Sequence, residues 1–169
     1  MTGLLRLLTT APVIVLSFVL MVLIGLSFAP VQSIIEGPLL DMIWSGDEAK
    51  VRLAEMSEVQ RTAHFWGTVL NDTAYPLAYG AFFAGLAGRA VSERLRPFVM
   101  APAFLTVLAD LAENTVQAMA LKGDADLLAL KTYLTPLKFG LFMVAAALAL
   151  GLGLFALARW FMRRRVRPR

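Results

Sequence analysis

The chain has 169 residues, of which 59% are hydrophobic and only 17% charged, with a mean hydropathy of +0.70. Soluble domains carry about 25% charge, so composition places this chain among membrane proteins, with one domain (1–169) the natural count at its length. The lack of cysteine excludes a disulfide framework, a thiolate metal site and a cysteine nucleophile, and a single histidine, His64, excludes zinc sites built on several.

The first expected span covers about residues 11–29, APVIVLSFVLMVLIGLSFA. It is uncharged and about long enough to cross about 30 Å of hydrocarbon. Its apolar run exceeds a signal peptide's core, and SFAP is a poor cleavage site, so it reads as an uncleaved helix. Residues 30–64 then form an acid-rich linker carrying Glu36, Asp41, Asp47, Glu48, Glu55 and Glu58. Its IIEGPLLDMIW segment reads as interfacial, with Leu39, Leu40, Ile43 and Trp44 as anchors. Ser45-Gly46-Asp47-Glu48 has the pattern of a helix start with acids in the first turn, and that helix is expected to run into the second span.

The second, third and fourth spans are expected at about 65–88, 97–121 and 133–161. Orientation follows from the basic residues. Arg6 precedes the first span, Arg89, Arg94 and Arg96 fill the short link between the second and third, and the tail at 162–169 is arginine-rich. These three segments belong on the cytoplasmic side, and residues 30–64 and 122–132 belong opposite. The net charge of +4 is concentrated in that tail, where Arg159, Arg163, Arg164, Arg165, Arg167 and Arg169 cluster. A juxtamembrane cluster of this kind sets topology and touches anionic lipid, so no nucleic-acid partner is expected. The fold class is therefore all-α: a polytopic bundle of four transmembrane helices, both termini cytoplasmic, with a helical outer loop between helices one and two.

Charge inside the spans is the informative feature. An ionised side chain at a helix centre costs about 2.5–3.5 kcal/mol on insertion scales, and such residues normally face a bundle interior or a wet cavity. Asp72, Tyr75 and Tyr79 share one helical stripe, which Thr68 and His64 extend outward. Thr106, Asp110, Glu113, Asn114 and Gln117 form a second stripe on the third span. Lys138 enters from the fourth. At 1.5 Å per residue, Asp72 lies about 10 Å below the outer end of its span, and the other three charges fall at similar depth. Pro76 cannot donate a backbone hydrogen bond, which frees the carbonyl of Asp72. Three acids against one lysine leave charge uncompensated, so a protonated acid, a bound cation or an inward-reaching Arg61 is expected. Such oxygen-rich groups suit protons or hard cations rather than zinc or copper. No dedicated metal site or cofactor is assigned. Gly80, Ala84 and Gly88 form a small-residue strip expected to pack closely on a neighbouring helix. His64 alone reads as an interfacial residue.

Three motifs occur in order: LNDTAYPLAYG, LADLAEN and LTPLKF. Together they resemble a family of small four-helix bacterial inner-membrane proteins of unknown function. Its pattern is an aspartate three residues before an aromatic-proline pair, then D-x-x-E-N, then T-x-x-K. Here these are Asp72, Tyr75 and Pro76, then Asp110, Glu113 and Asn114, then Thr135 and Lys138. The resemblance covers about residues 60–142 and implies a bacterial inner membrane without implying an activity.

The candidate binding or proton site is thus Asp72, Tyr75, Tyr79, Asp110, Glu113, Asn114, Gln117 and Lys138, with Arg61, His64 and Thr68 around it. The leading expectation is a protein that binds or relays a proton, a cation or a polar lipid or small-molecule headgroup. The alternatives are a membrane enzyme acting on a lipid or isoprenoid substrate through a carboxylate, and a structural or assembly subunit. No nucleophile elbow, phosphate loop or dinucleotide fingerprint is present. Membrane lipid is the expected partner, and four spans leave room for a homo-oligomer or another membrane protein.

Overall fold

The structure, a computed structural model, describes residues 3–165, with side chains as far as Met162. The basic tail beyond Met162 therefore lies outside the described side chains. Every regular element among the described residues is helical. In chain order they are α1 (Gly3–Leu8), α2 (Ala11–Leu26), α3 (Phe28–Ile35), α4 (Gly46–Glu55), α5 (Glu58–Trp66), α6 (Asp72–Ala90), α7 (Arg96–Lys122) and α8 (Lys131–Arg165).

Among the described residues, three stretches are long and apolar enough to cross a membrane: Ala11–Ile35, Arg96–Lys122 and Leu128–Met162. In the first and last, only 11% of the most apolar window is buried inside the molecule. Val15, Leu16, Leu23, Met143, Leu154 and Phe155 point outward from them, as lipid-facing side chains do. The remaining long element is composite. α5 continues through a π-helical turn at Gly67–Asn71 into α6. α6 packs against α2, α7 and α8. Close approach explains part of its composition: a Cβ on Gly88 would stand 2.7 Å from Met100 Sδ, and one on Gly80 would clash with Val107. The small-residue strip thus seats α6 on α7.

The linker is folded rather than loose. α3 ends at Glu36, whose φ of 49° is left-handed. The Arg52 guanidinium donates to the Ile35 carbonyl at 2.9 Å, and Gln60 Nε2 donates to the same oxygen at 2.9 Å. Ser45 caps α4 by accepting from the Glu48 N–H, with Asp47 and Glu48 in the first turn. The single helix expected from 46 into the second span is broken at Met56 instead. Ser57 starts a new helix there through a reciprocal capping box with Gln60. The interfacial segment is also different. Leu40 is fully buried, with Leu39 and Ile43 packed against the same cluster, while Trp44 remains exposed and stacks on Phe139. His64, expected at an interface, is buried as well.

Two apolar clusters form the core. One gathers Ile35, Leu40, Met56, Val116, Leu121 and Leu128; the other gathers Tyr79, Phe83, Met100, Ala145 and Ala149. Along α7, Asp110 and Glu113 lie between the residues serving each cluster. Along the 128–149 stretch, Lys131, Thr135 and Lys138 do the same. The polar residues therefore occupy a layer between two apolar ones.

Candidate functional site

The site is built from four stretches of chain. α6 supplies Asp72, Tyr75 and Tyr79, α7 supplies Asp110 and Glu113, and α8 supplies Lys131, Thr135 and Lys138. The fourth contribution is Asp41, from a single 3-10 turn at Leu40–Met42.

Lys138 is the hub. Its Nζ stands 2.7 Å from Glu113 Oε2 and 3.5 Å from Asp110 Oδ1, and it pairs directly with Asp41 Oδ1. It also lies 5.0 Å from the centroid of the Phe139 ring. Tyr79 donates its hydroxyl to Asp110 Oδ2 at 2.7 Å. Glu113 is held from the other side as well. Lys131 pairs with its Oε1, and the Thr135 hydroxyl donates to that oxygen at 2.5 Å. Glu113, Lys131 and Thr135 are fully buried. Isolated charges there would be costly, and their mutual pairing offsets much of that cost.

Sequence reasoning missed Asp41 and Lys131, so its balance of three acids against one lysine is corrected to four acids against two lysines. Lys131 lies just before the span expected at about 133–161, at helical spacing from Thr135 and Lys138, and Asp41 lies in the linker at 30–64. Its place is set by His64, whose Nε2 accepts the Leu40 backbone N–H at 2.9 Å. The ring's Nδ1 stands 3.2 Å from Thr68 Oγ1. With Nε2 accepting, Nδ1 carries the proton, and burial holds the His64 pKa down to about 4, so the ring is neutral at pH 7.

Asp72 differs from its neighbours. It is 7% exposed, and among the described residues its carboxylate has no hydrogen-bond or ion-pair partner. It faces a cavity of about 220 Å³ together with Asp41, Tyr75, Tyr79, Asp110 and Lys138. Phe139, Phe142 and Met42 complete the walls. A crevice of about 10 Å³, about one water in size, lies on its other side against His64 and Thr68. The π turn at Gly67–Asn71 falls within this stretch, and His64, Thr68 and Asp72 all line that crevice.

The remaining candidates divide by role. Asn114 Nδ2 donates to the main-chain carbonyl of Asp72 at 2.6 Å, the carbonyl that Pro76 leaves free. Gln117 is fully buried, and its amide finds no hydrogen-bond partner among the described residues. Arg61 does not reach the acids. It lines a separate pocket of about 340 Å³ with Lys50 and Asp126. Asp41, Asp110 and Glu113 offer oxygens within 4.8 Å of one another. That spacing would suit a cation, and the Lys138 ammonium pairs with all three.

The arrangement can neutralise, orient and desolvate a polar group inside a largely apolar wall, which is how small-molecule sites are usually built. No family model, curated protein or solved structure matches this chain, and the site stands on its own geometry.

Proposed function

We propose that this chain is a four-span protein of a bacterial inner membrane, with residues 65–88, which run through the π turn into α6, as the fourth span and both termini cytoplasmic. Residues 30–64 then fold over the periplasmic end, and the polar layer forms a binding site in the outer half of the bilayer. The site takes a cation or the polar headgroup of a small molecule or lipid. The three ordered motifs shared with small four-helix inner-membrane proteins favour the same reading, and surrounding lipid is the constant partner.

The observation that carries the proposal is Asp72. A packing device pairs its charges, as Glu113 is paired with Lys131, Thr135 and Lys138. Asp72 is buried, unpaired and turned to a cavity instead. Intramembrane acids kept in that state mark ligand and ion pathways.

The test is thermal melting of the purified protein in detergent against sodium, magnesium, choline, glycine betaine and glycerol phosphate. A ligand that binds only the folded state raises Tm with its concentration. At least one probe should do so saturably, and Asp72→Asn should abolish the response while melting like the wild type. Flat melts across the panel, with Asp72→Asn unchanged in every respect, would leave the acids a packing role alone.

A further inference from the structure

We infer that the cavity beside Asp72 takes an organic ammonium ion, either a protonated amine or a quaternary ammonium, carrying apolar substituents. The inference rests on the reading of this cluster as a binding site and adds the chemistry of its ligand.

Charge is the first argument. Asp41, Asp72 and Asp110 face the cavity and Lys138 is the only base there. Lys138 is already engaged by Asp41, Asp110 and Glu113. Asp72 is left without a partner, and four acids against two lysines leave the cluster short of positive charge, which favours a cation and disfavours a phosphate or carboxylate.

The walls decide which cation. A hard divalent ion wants six or more oxygen ligands, and Asp72 sits among Tyr75, Tyr79 and Phe142 instead. The Tyr75 and Tyr79 rings meet edge to face with centroids 5.5 Å apart, and Tyr79 meets Phe142 in the same way at 5.2 Å. Aromatic faces hold weakly hydrated ammonium groups. A cavity of about 220 Å³ has room for a small organic ion.

Lys138 itself is the internal precedent. It is an alkylammonium on an apolar stem, held by carboxylates and placed 5.0 Å from the Phe139 centroid. The same protein environment therefore already holds one ammonium of this type. A ligand ammonium on Asp72 would repeat the arrangement on the neighbouring wall.

The experiment uses the full chain in neutral detergent at fixed ionic strength. The free probes are tetramethylammonium, choline and butylammonium chlorides, with sodium and magnesium chlorides as controls. Nanodiscs of phosphatidylethanolamine or of phosphatidylglycerol separate a lipid amine from a soluble one. The expected result is a saturable rise in Tm with the organic ions only, weakened at least tenfold in apparent affinity by Asp72→Asn. Tyr75→Leu, which keeps every acid, should weaken tetramethylammonium several-fold. It serves as the second variant if Asp72→Asn is poorly folded. A greater Tm in phosphatidylethanolamine than in phosphatidylglycerol, lost in Asp72→Asn, assigns the ammonium to lipid. Sodium or magnesium matching the organic ions, or an unchanged response in both variants, overturns the inference. If glycerol phosphate binds in an Asp72-dependent way and ammonium ions do not, the inference falls and the binding-site reading stands. If nothing binds in an Asp72-dependent way, both fall.

Discussion

The Asn114 side chain fills a gap that Pro76 opens in a different helix. Pro76 has no N–H for the carbonyl of Asp72, and Asn114 Nδ2 donates to that oxygen at 2.6 Å. One hydrogen bond thus does two things: it satisfies a buried backbone acceptor and it locks α7 to α6 beside the cavity. Asn114→Ala should destabilise the protein by about 1–3 kcal/mol, the range for a buried polar group left unpaired. Adding Pro76→Ala restores a helical donor to the Asp72 carbonyl and should recover part of the loss. Chemical denaturation in mixed micelles measures the cycle, and strictly additive effects would refute the link.

Glu113 should behave as a pillar of the fold. Both of its oxygens are engaged by buried lysines. Glu113→Gln strands Lys131 with only the Thr135 hydroxyl at 3.2 Å, and a broken buried pair costs about 3–5 kcal/mol. Lys131→Met in the same chain should restore a measurable part of that stability and of the yield of folded protein. Asp72→Asn should cost far less, because no ion pair is lost. Equal damage from Glu113→Gln and Asp72→Asn would contradict this division of roles.

His64 predicts a pH dependence of defined sign. Its folded pKa, about 4, lies below the ordinary value of about 6.5. Between those values the unfolded chain binds the proton and the folded chain does not. The His64 contribution is therefore present above about pH 6.5 and is lost as pH falls towards 4. At about 1.4 kcal/mol per pH unit, the loss is at most about 3.5 kcal/mol. Protonation of the folded ring, near pH 4, also removes the acceptor that holds the Leu40 N–H, so Asp41 should loosen there. Comparing wild type with His64→Gln isolates this term, since the carboxylates titrate in both. Parallel pH–stability curves would count against it.

Topology has a direct test because the native chain has no cysteine. Glu55 and Glu93 are exposed and lie in segments placed on opposite sides. A membrane-impermeant thiol reagent should label Glu55→Cys in intact spheroplasts and Glu93→Cys only after permeabilisation. The reverse pattern would invert the proposed orientation.

Much of this arrangement was legible from residue types and helical spacing. Asp110, Glu113, Asn114 and Gln117 share a face at that spacing, and all four are buried. The acceptor freed by Pro76 could be read from the sequence, and so could the close contact at Gly80 and Gly88. The spans at about 11–29 and 97–121 coincide with helices long and apolar enough to cross a membrane, because mean hydropathy over a helix length is a local property. Asp41 was not legible. Its position depends on His64, which accepts the Leu40 N–H from 24 residues further along the chain, and on the Arg52 and Gln60 donors that hold the end of α3. Lys131 was legible in principle. It precedes the apolar run expected at about 133–161, and its i+4 and i+7 neighbours are Thr135 and Lys138. The π turn at Gly67–Asn71 had no signal in composition.

The order of charges along the chain has a consequence for biogenesis. Asp41, Asp72, Asp110 and Glu113 are all synthesised before Lys131 and Lys138 arrive. Until α8 emerges, the nascent chain holds acids with no countercharge in the layer where they will finally rest. Release of α6 and α7 from the insertion machinery should therefore wait for the last helix, so that the acid-bearing pair and α8 enter the bilayer as one unit. A ribosome-stalled chain ending near residue 125 should stay bound to the translocon, and one extended past residue 165 should leave it.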